Sequence, residues 1–395
     1  MKLRKIQTVL VLVVTFVAIL FSSAGSVLNI KERIFVHALG IDPGENGEGY
    51  KITMQVFKPQ GAGSDTPVDV LQSNIQVVQS EGNTVRQALS EAQNSLGREI
   101  FLGHLQLICL NKKTDFSSPE NLFEFCLKDK NVFYGVKLCL CENKAEEIMQ
   151  TQITRGTTSS ESFVDTIKKS VVNSKAVDCE LIDFLSCINS HINVAMPVLS
   201  VKKPDKKGQG ESQSGQSGQT GQTGESSQQQ TQESGIEIKK TALVKDGKVL
   251  ETYLDEEETE GVAWFSRKGK ISEFSVKNGE NFVDIKLTRD KFHTKIRNEN
   301  GNLVVKVEFT AVARSGEEVE SKNQAKEISE KVKKRMEKVF RKSVEKALYE
   351  NKTDVFGVWK MLRHSYPETY LEYKDNLDVI FENVKFDYKI KIRTA

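Results

Sequence analysis

"TVRQALSEAQNSLGREIFLGHLQLICL", residues 84–110, changes its hydrophobic period once, and that change sets the fold class. Val85, Ala88, Leu89, Ala92 and Leu96 recur at helical spacing and share one face. Thr84 and Gln87 read as a capping box at the start, and Gly97 stands where a helix stops. The stretch 104–110, "HLQLICL", then returns to the pattern of a strand. Helix and strand follow each other within thirty positions, which predicts a chain of mixed α and β elements.

The same alternation extends outward in both directions. Upstream, "IFVHALGID" (34–42) is an apolar strand closed by Asp42-Pro43-Gly44. "YKITMQVFK" (50–58) puts Tyr50, Ile52, Met54 and Val56 on one side, and the two segments suit a hairpin. "SNIQVVQSEG" (73–82) gives a third strand. Downstream, "VFYGVKLCLCE" (132–142) reads as a strand, and "NKAEEIMQT", "SFVDTIKKSVVNS" and "ELIDFLSCINSHIN" read as helices. Asp255 and Glu258 form a second capping box, before a short helix around "GVAWFSRKG".

Strands at 280–288, 291–299 and 302–315 follow, then a long helix over 323–349. Its buried face is predicted to carry Ile328, Val332, Met336, Val339, Ser343 and Ala347. The segment "VIFENVKFDYKIKI" (379–392) reads as a strand pair or one long strand.

The chain of 395 residues is too long for one core. Four regions are expected: a signal or transmembrane anchor over 1–28, an N-terminal α+β domain over 29–195, a middle domain over 196–272 and a C-terminal α+β domain over 273–395. The expected fold class is therefore α+β, with three mixed domains, antiparallel or mixed sheets, and one N-terminal helix ahead of them. Residues 203–235 are almost entirely Gly, Gln, Ser and Thr with a few charges, and are expected to be disordered. Strand-like segments flank them on both sides, so they read as a long loop within one sheet.

Lys2, Arg4 and Lys5 precede an uncharged run from Ile6 to Leu28. Charge in that position holds the N-terminus in the cytoplasm and sends the body across the membrane. The run is long enough to span a bilayer, and its end, "FSSAGSVLN" (21–29), also offers an acceptable cleavage pair in Ser22 and Ala24.

A formal charge of +2, from 56 basic and 54 acidic side chains, gives no reason to expect nucleic acid as a partner. Five histidines (His37, His104, His191, His293, His364) include no local metal pair, and no phosphate-binding, dinucleotide-binding or nucleophile-elbow motif occurs. Cys109 with His104 or His191 is the nearest approach to a thiol nucleophile and base, yet Cys109 sits in an apolar strand and reads as core. Asp42 and Asp354 stand at element boundaries and read as cap or turn acids. All six cysteines are expected to be buried free thiols. No catalytic, cofactor-binding or metal residue is expected.

Several blocks in order resemble one family: "ALGID" (38–42), "SEGNTVRQALSEAQNSLGREIFLGHLQLICL" (80–110), "ENKAEEIM" (142–149), "PVLSV" (197–201), "ALVKDGKVLETYLDEEETEGVAWF" (242–265) and "KTDVFGVWKMLRHSYPETY" (352–370). The chain resembles the Ger(x)C family, the C subunits of nutrient germinant receptors in endospore-forming bacteria. The resemblance implies a three-domain α+β protein on the outer face of the spore inner membrane, working beside A-type and B-type membrane-embedded subunits to trigger germination. It implies no catalytic residue and no cofactor.

Two features depart from the family. Residues 203–235 read as an insertion into the middle domain. Gly25-Ser26 falls where the family carries Gly-Cys, and a serine hydroxyl cannot form the thioether that holds diacylglycerol. Lipidation is thus not expected at Ser26, and an uncut helix from Ile6 to Leu28 is the expected anchor. Two other functions compete with a non-enzymatic receptor subunit: an extracytoplasmic protein that captures the nutrient in a cleft, and a cell-wall enzyme, which would need paired carboxylates or a metal.

Overall fold

A computed structural model describes residues 13–16, 32–45, 47–57, 75–114, 116, 118–151, 158–188, 193–202, 235–278, 281–300, 302–316 and 321–394. Val13 to Phe16 are helical and exposed. The remainder of the expected anchor, Ser26 and the insert at 203–234 lie outside the described residues. Among the described residues, no helix is long and apolar enough to cross a membrane.

Two sheets organise the described residues. The first has nine strands: β1 (Arg33–Pro43), β2 (Tyr50–Phe57), β3 (Ile75–Gly82), β4 (Glu99–Phe101), β5 (Leu107–Asn111), β6 (Lys137–Cys141), β7 (Val194–Lys202), β8 (Gly235–Lys245) and β9 (Lys248–Leu254). They lie in the order β3-β2-β1-β5-β6-β7-β8-β9, with β4 beside the start of β1. β1, β5, β6 and β7 run parallel, while β2 and β3 at one side and β8 and β9 at the other are antiparallel. β1 and β2 form the expected hairpin. The expected boundary at 195/196 falls inside β7.

Helices cover both faces of this sheet. On one face pack α1 (Val85–Leu96), the short α2 (Pro119–Leu122) and α3 (Glu124–Leu127), and α6 (Leu181–Ile188). The other face carries α4 (Ala145–Gln150) and α5 (Ser159–Val172). The cap signals of α1 hold. Thr84 accepts from the Gln87 amide at 3.0 Å, and Gly97 takes the left-handed φ of 61° while its amide donates to Gln93. The Gln87 side chain reaches one residue further back than a capping box requires, and accepts from Asn83 at 3.1 Å.

The second sheet is β10 (Ile271–Asn278), β11 (Asn281–Glu299), β12 (Asn302–Ser315) and β13 (Lys385–Thr394), in that order. The first three are antiparallel, and β13 pairs in parallel with β12. Against it lie α7 (Glu256–Phe265), α8 (Lys322–Val344), α9 (Val358–Ser365), α10 (Pro367–Tyr373) and α11 (Asp378–Asn383). All six residues of the predicted face of α8 are buried, and after Val344 the helix widens into a π turn, Glu345–Glu350. Asp255 and Glu258 complete their capping box at 2.8 and 2.9 Å. Gly261 lets α7 approach α8, since a Cβ there would lie 1.9 Å from the Ser343 hydroxyl.

Several expected strands are shorter, merged or different: the segments 280–288 and 291–299 form the single strand β11, and β5 starts only at Leu107. β6 begins at Lys137, because the preceding residues turn, with the Val136 amide donating to the Phe133 carbonyl at 3.2 Å. Asp378–Asn383 is a helix whose Ile380 and Phe381 enter the second core, and only 385–394 form a strand. A short apolar run carries too little period to separate the two.

Candidate functional site

The chemistry-bearing residues singled out from sequence are held in structural roles. Asp42, 5% exposed, accepts from Asn111 Nδ2 at 2.7 Å and from the amides of Ala145 and Glu146 at 2.9 and 3.0 Å. It thereby ties β1 and β5 to the start of α4. Asp354 is buried and accepts from the amides of Phe356, Val358 and Trp359 at 3.1, 3.1 and 2.9 Å, which fixes the start of α9. Both acids act as caps.

Cys109, Cys126, Cys139, Cys141 and Cys179 are free and buried. Cys139 and Cys141 share the α5 face with Cys109, and their thiols donate to the carbonyls of Ile108 and Leu110 at 3.6 and 3.4 Å. His104 is packed among aromatic rings at the start of the sheet instead. Among the described residues, no group of three or more His, Cys, Asp or Glu side chains is arranged to hold a metal.

Because β1, β5 and β6 run parallel, their starts share one end of the sheet, the end at which the chain enters from the N-terminal segment. That end is aromatic. Phe35 meets Phe101 and His104 edge-on at 5.6 and 5.2 Å, His37 lies 5.6 Å from His104, and the Arg33 guanidinium sits 5.1 Å from the Phe101 ring. Burial, and then the charge of His104, hold His37 below the ordinary imidazole value. Beyond this cluster the turn before β6 projects Phe133, 73% exposed, and Tyr134, 38% exposed. Ile182, 46% exposed, joins them through its amide, which donates to the Tyr134 carbonyl at 3.0 Å. These three large apolar side chains are exposed near one end of the sheet, and no sequence motif announces them.

A partly buried ion network joins the two sheets. Lys137, at the start of β6, contacts Asp178 and Glu180 at 2.7 Å each, and Lys268, just after α7, reaches Asp178 and Asp183 at 2.9 and 3.2 Å. Leu243 of β8 and Leu254 of β9 enter the second core, so that core continues onto the first sheet.

Residues 26–201 match the N-terminal domain of a spore germination protein family, and residues 239–394 match the C-terminal domain described as spore germination B3/GerAC like. The chain belongs to the Ger(x)C family. The first match begins at Ser26, and the two matches leave 202–238 between them, which includes the insert. The Ger(x)C fold is also seen in the crystal structure of the GerBC protein, at 16% identity with a TM-score of 0.53, over 90% of this chain and 96% of that one. No curated protein matches the chain. Family membership gives this Ger(x)C chain a role in spore germination.

Proposed function

We propose that the chain is the non-enzymatic C subunit of a nutrient germinant receptor, acting with A-type and B-type membrane-embedded subunits at the spore inner membrane. Its body lies on the outer face, held by the apolar segment Ile6 to Leu28. The observation that carries the reading is the ordered match of both family domains across 26–201 and 239–394. The exposed tip of Phe133, Tyr134 and Ile182 supports it from a second side: it projects from the end of the sheet that receives the N-terminal segment, and aromatic side chains favour the membrane interface. That end is the one we turn toward the membrane.

Deleting the gene tests the reading. Spores should form normally but fail to germinate through this receptor, and an unchanged nutrient response would overturn it. Nutrient capture by this chain is the competing function. It requires candidate germinants to raise the melting temperature of the purified protein, and no such shift is expected.

A further inference from the structure

β11 is far longer than its neighbour β10. β10 pairs with Asn281 to Thr288, and the Arg289 amide donates to the Lys270 carbonyl at 2.9 Å, so from Asp290 onward one edge of β11 has no partner strand among the described residues. At its far end this edge is closed by a side chain: the Asn298 amide donates to the Tyr366 hydroxyl at 2.9 Å. Amides alternate sides along a strand, so those of Ile296 and Thr294 point the same way as that of Asn298. Between them and α9 an open groove of about 710 Å³ remains.

The groove has two chemistries. Ile296 and Trp359 are almost fully buried beneath it, and Met361 is half-buried, which gives an apolar floor. Lys295, Lys360 and Arg363 line its walls with His293 and His364, and among the described residues no carboxylate lines it. None of Lys295, Lys360 and Arg363 has an ion-pair partner among the described residues; the Arg363 guanidinium lies 5.8 Å from the Tyr370 ring. Free strand edges invite pairing with another chain and are usually covered or blunted. Here α9 stands beside the edge without filling the space.

We propose that this groove receives an extended, acidic segment of a partner chain, added as a strand to the edge of β11. Main-chain hydrogen bonds to the Thr294 and Ile296 amides and to the carbonyls on the same edge would fix the added backbone. Its alternate side chains would then rest on the Trp359 and Met361 floor or face Lys295 and Arg363. An anionic lipid or a free phosphate would satisfy the charge alone. The edge amides, repeating at strand period, are what select a peptide.

The proposal extends the receptor reading by giving its partner contact a chemistry, and it is tested on the purified full chain, so the result stands whatever gene deletion shows. The probe is a labelled ten-residue peptide of alternating Glu and Val, followed by fluorescence anisotropy. Controls are the Lys/Val counterpart, a copy N-methylated on one edge, and anionic phosphatidylglycerol vesicles. The Glu/Val peptide should bind at least tenfold more tightly than either peptide control, with slowed amide exchange at Thr294 and Ile296. The double variant Lys295→Glu/Arg363→Glu should invert the preference toward the Lys/Val peptide with the Thr294 and Ile296 amides still protected, an outcome that a misfolded variant cannot produce. Equal binding of all three peptides, no binding at millimolar concentration, no protection of the two amides, or displacement of the peptide by the vesicles would each overturn the proposal.

Discussion

Arg335 on α8 grips both carboxylate oxygens of Glu260 on α7, at 3.0 and 2.7 Å, while its guanidinium lies 3.7 Å from the Phe274 ring. Glu260 also accepts from Ser272 at 2.7 Å and from the Trp264 indole at 3.3 Å. Two helices and one strand thus meet on a single buried carboxylate, 6% exposed. Removing one member of a buried pair costs ~3–5 kcal/mol. The Arg335 side chain keeps 23% exposure, so Arg335→Met should cost about 2–3 kcal/mol in urea unfolding. A double-mutant cycle with Glu260→Gln should show coupling above about 1 kcal/mol; additive losses would mean that the pair does not act as one.

Acid should loosen the junction between the sheets. Burial raises the Asp178 carboxyl, but hydrogen bonds and charge from Lys137 and Lys268 outweigh it and hold the group below the ordinary aspartate value. A depressed folded value gives stability that is present above the unfolded value of about 3.9 and is lost as pH falls through the lower folded value. Asp178→Asn should cost about 1.5–3 kcal/mol at pH 7. The gap from the native chain should shrink below about pH 4, and a gap independent of pH would contradict this linkage.

The insert at 203–234 closes a hairpin whose last described pair is Lys202 with Gly235. Replacing it with Asn-Gly, a two-residue hairpin turn, should leave β7 and β8 in register. The shorter closure should stabilise the sheet by on the order of 2 kcal/mol, at about 0.6 kcal/mol per halving of loop length. A lower melting temperature in the shortened chain would show that the insert contributes contacts of its own.

The buried thiols should be silent in the folded chain. Its hydrogen-bonded contact with Cys139 and its burial push the Cys109 thiol up, and burial raises Cys126 and Cys139 as well. Iodoacetamide at pH 8 should therefore leave Cys109, Cys126, Cys139, Cys141 and Cys179 unmodified until denaturant is added. Peptide mass mapping reads each site, and rapid labelling of Cys109 in the native state would refute its place in the core.

In spore membranes a lipid-soluble photoreactive probe should label the peptide carrying Phe133 and Tyr134. Labelling of other segments with none at this tip would show that the opposite end faces the bilayer.

Some of these features were legible in the sequence, and the reasons are local. Helix α1 carries its own start, face and stop in Thr84, the Val85 to Leu96 spacing and Gly97. The buried stripe of α8 repeats over enough turns to be read, and Asp42 and Asp354 announce themselves as boundary acids. The helix at Asp378–Asn383 was not legible, because Ile380 and Phe381 suit either period and are claimed by a core formed far away in sequence. The parallel pairing of β13 with β12 and the grip of Arg335 on Glu260 join residues 81 and 75 positions apart, and no local pattern encodes them. The groove beside β11 was hidden for a different cause: it exists only because β10 begins at Ile271, opposite Thr288, while β11 runs on to Glu299.

The position of β1 has a mechanical meaning. It is the first strand after the N-terminal segment, yet it lies inside the sheet, bonded to β2 on one side and to β4 and β5 on the other. Tension applied ahead of Arg33 would load both ladders along their length, in shear, where many hydrogen bonds must yield together. A tether joined to an edge strand would instead peel it away one bond at a time. Were the body held by the segment ahead of Arg33, as proposed, it could be pulled from that one point without its sheet coming apart.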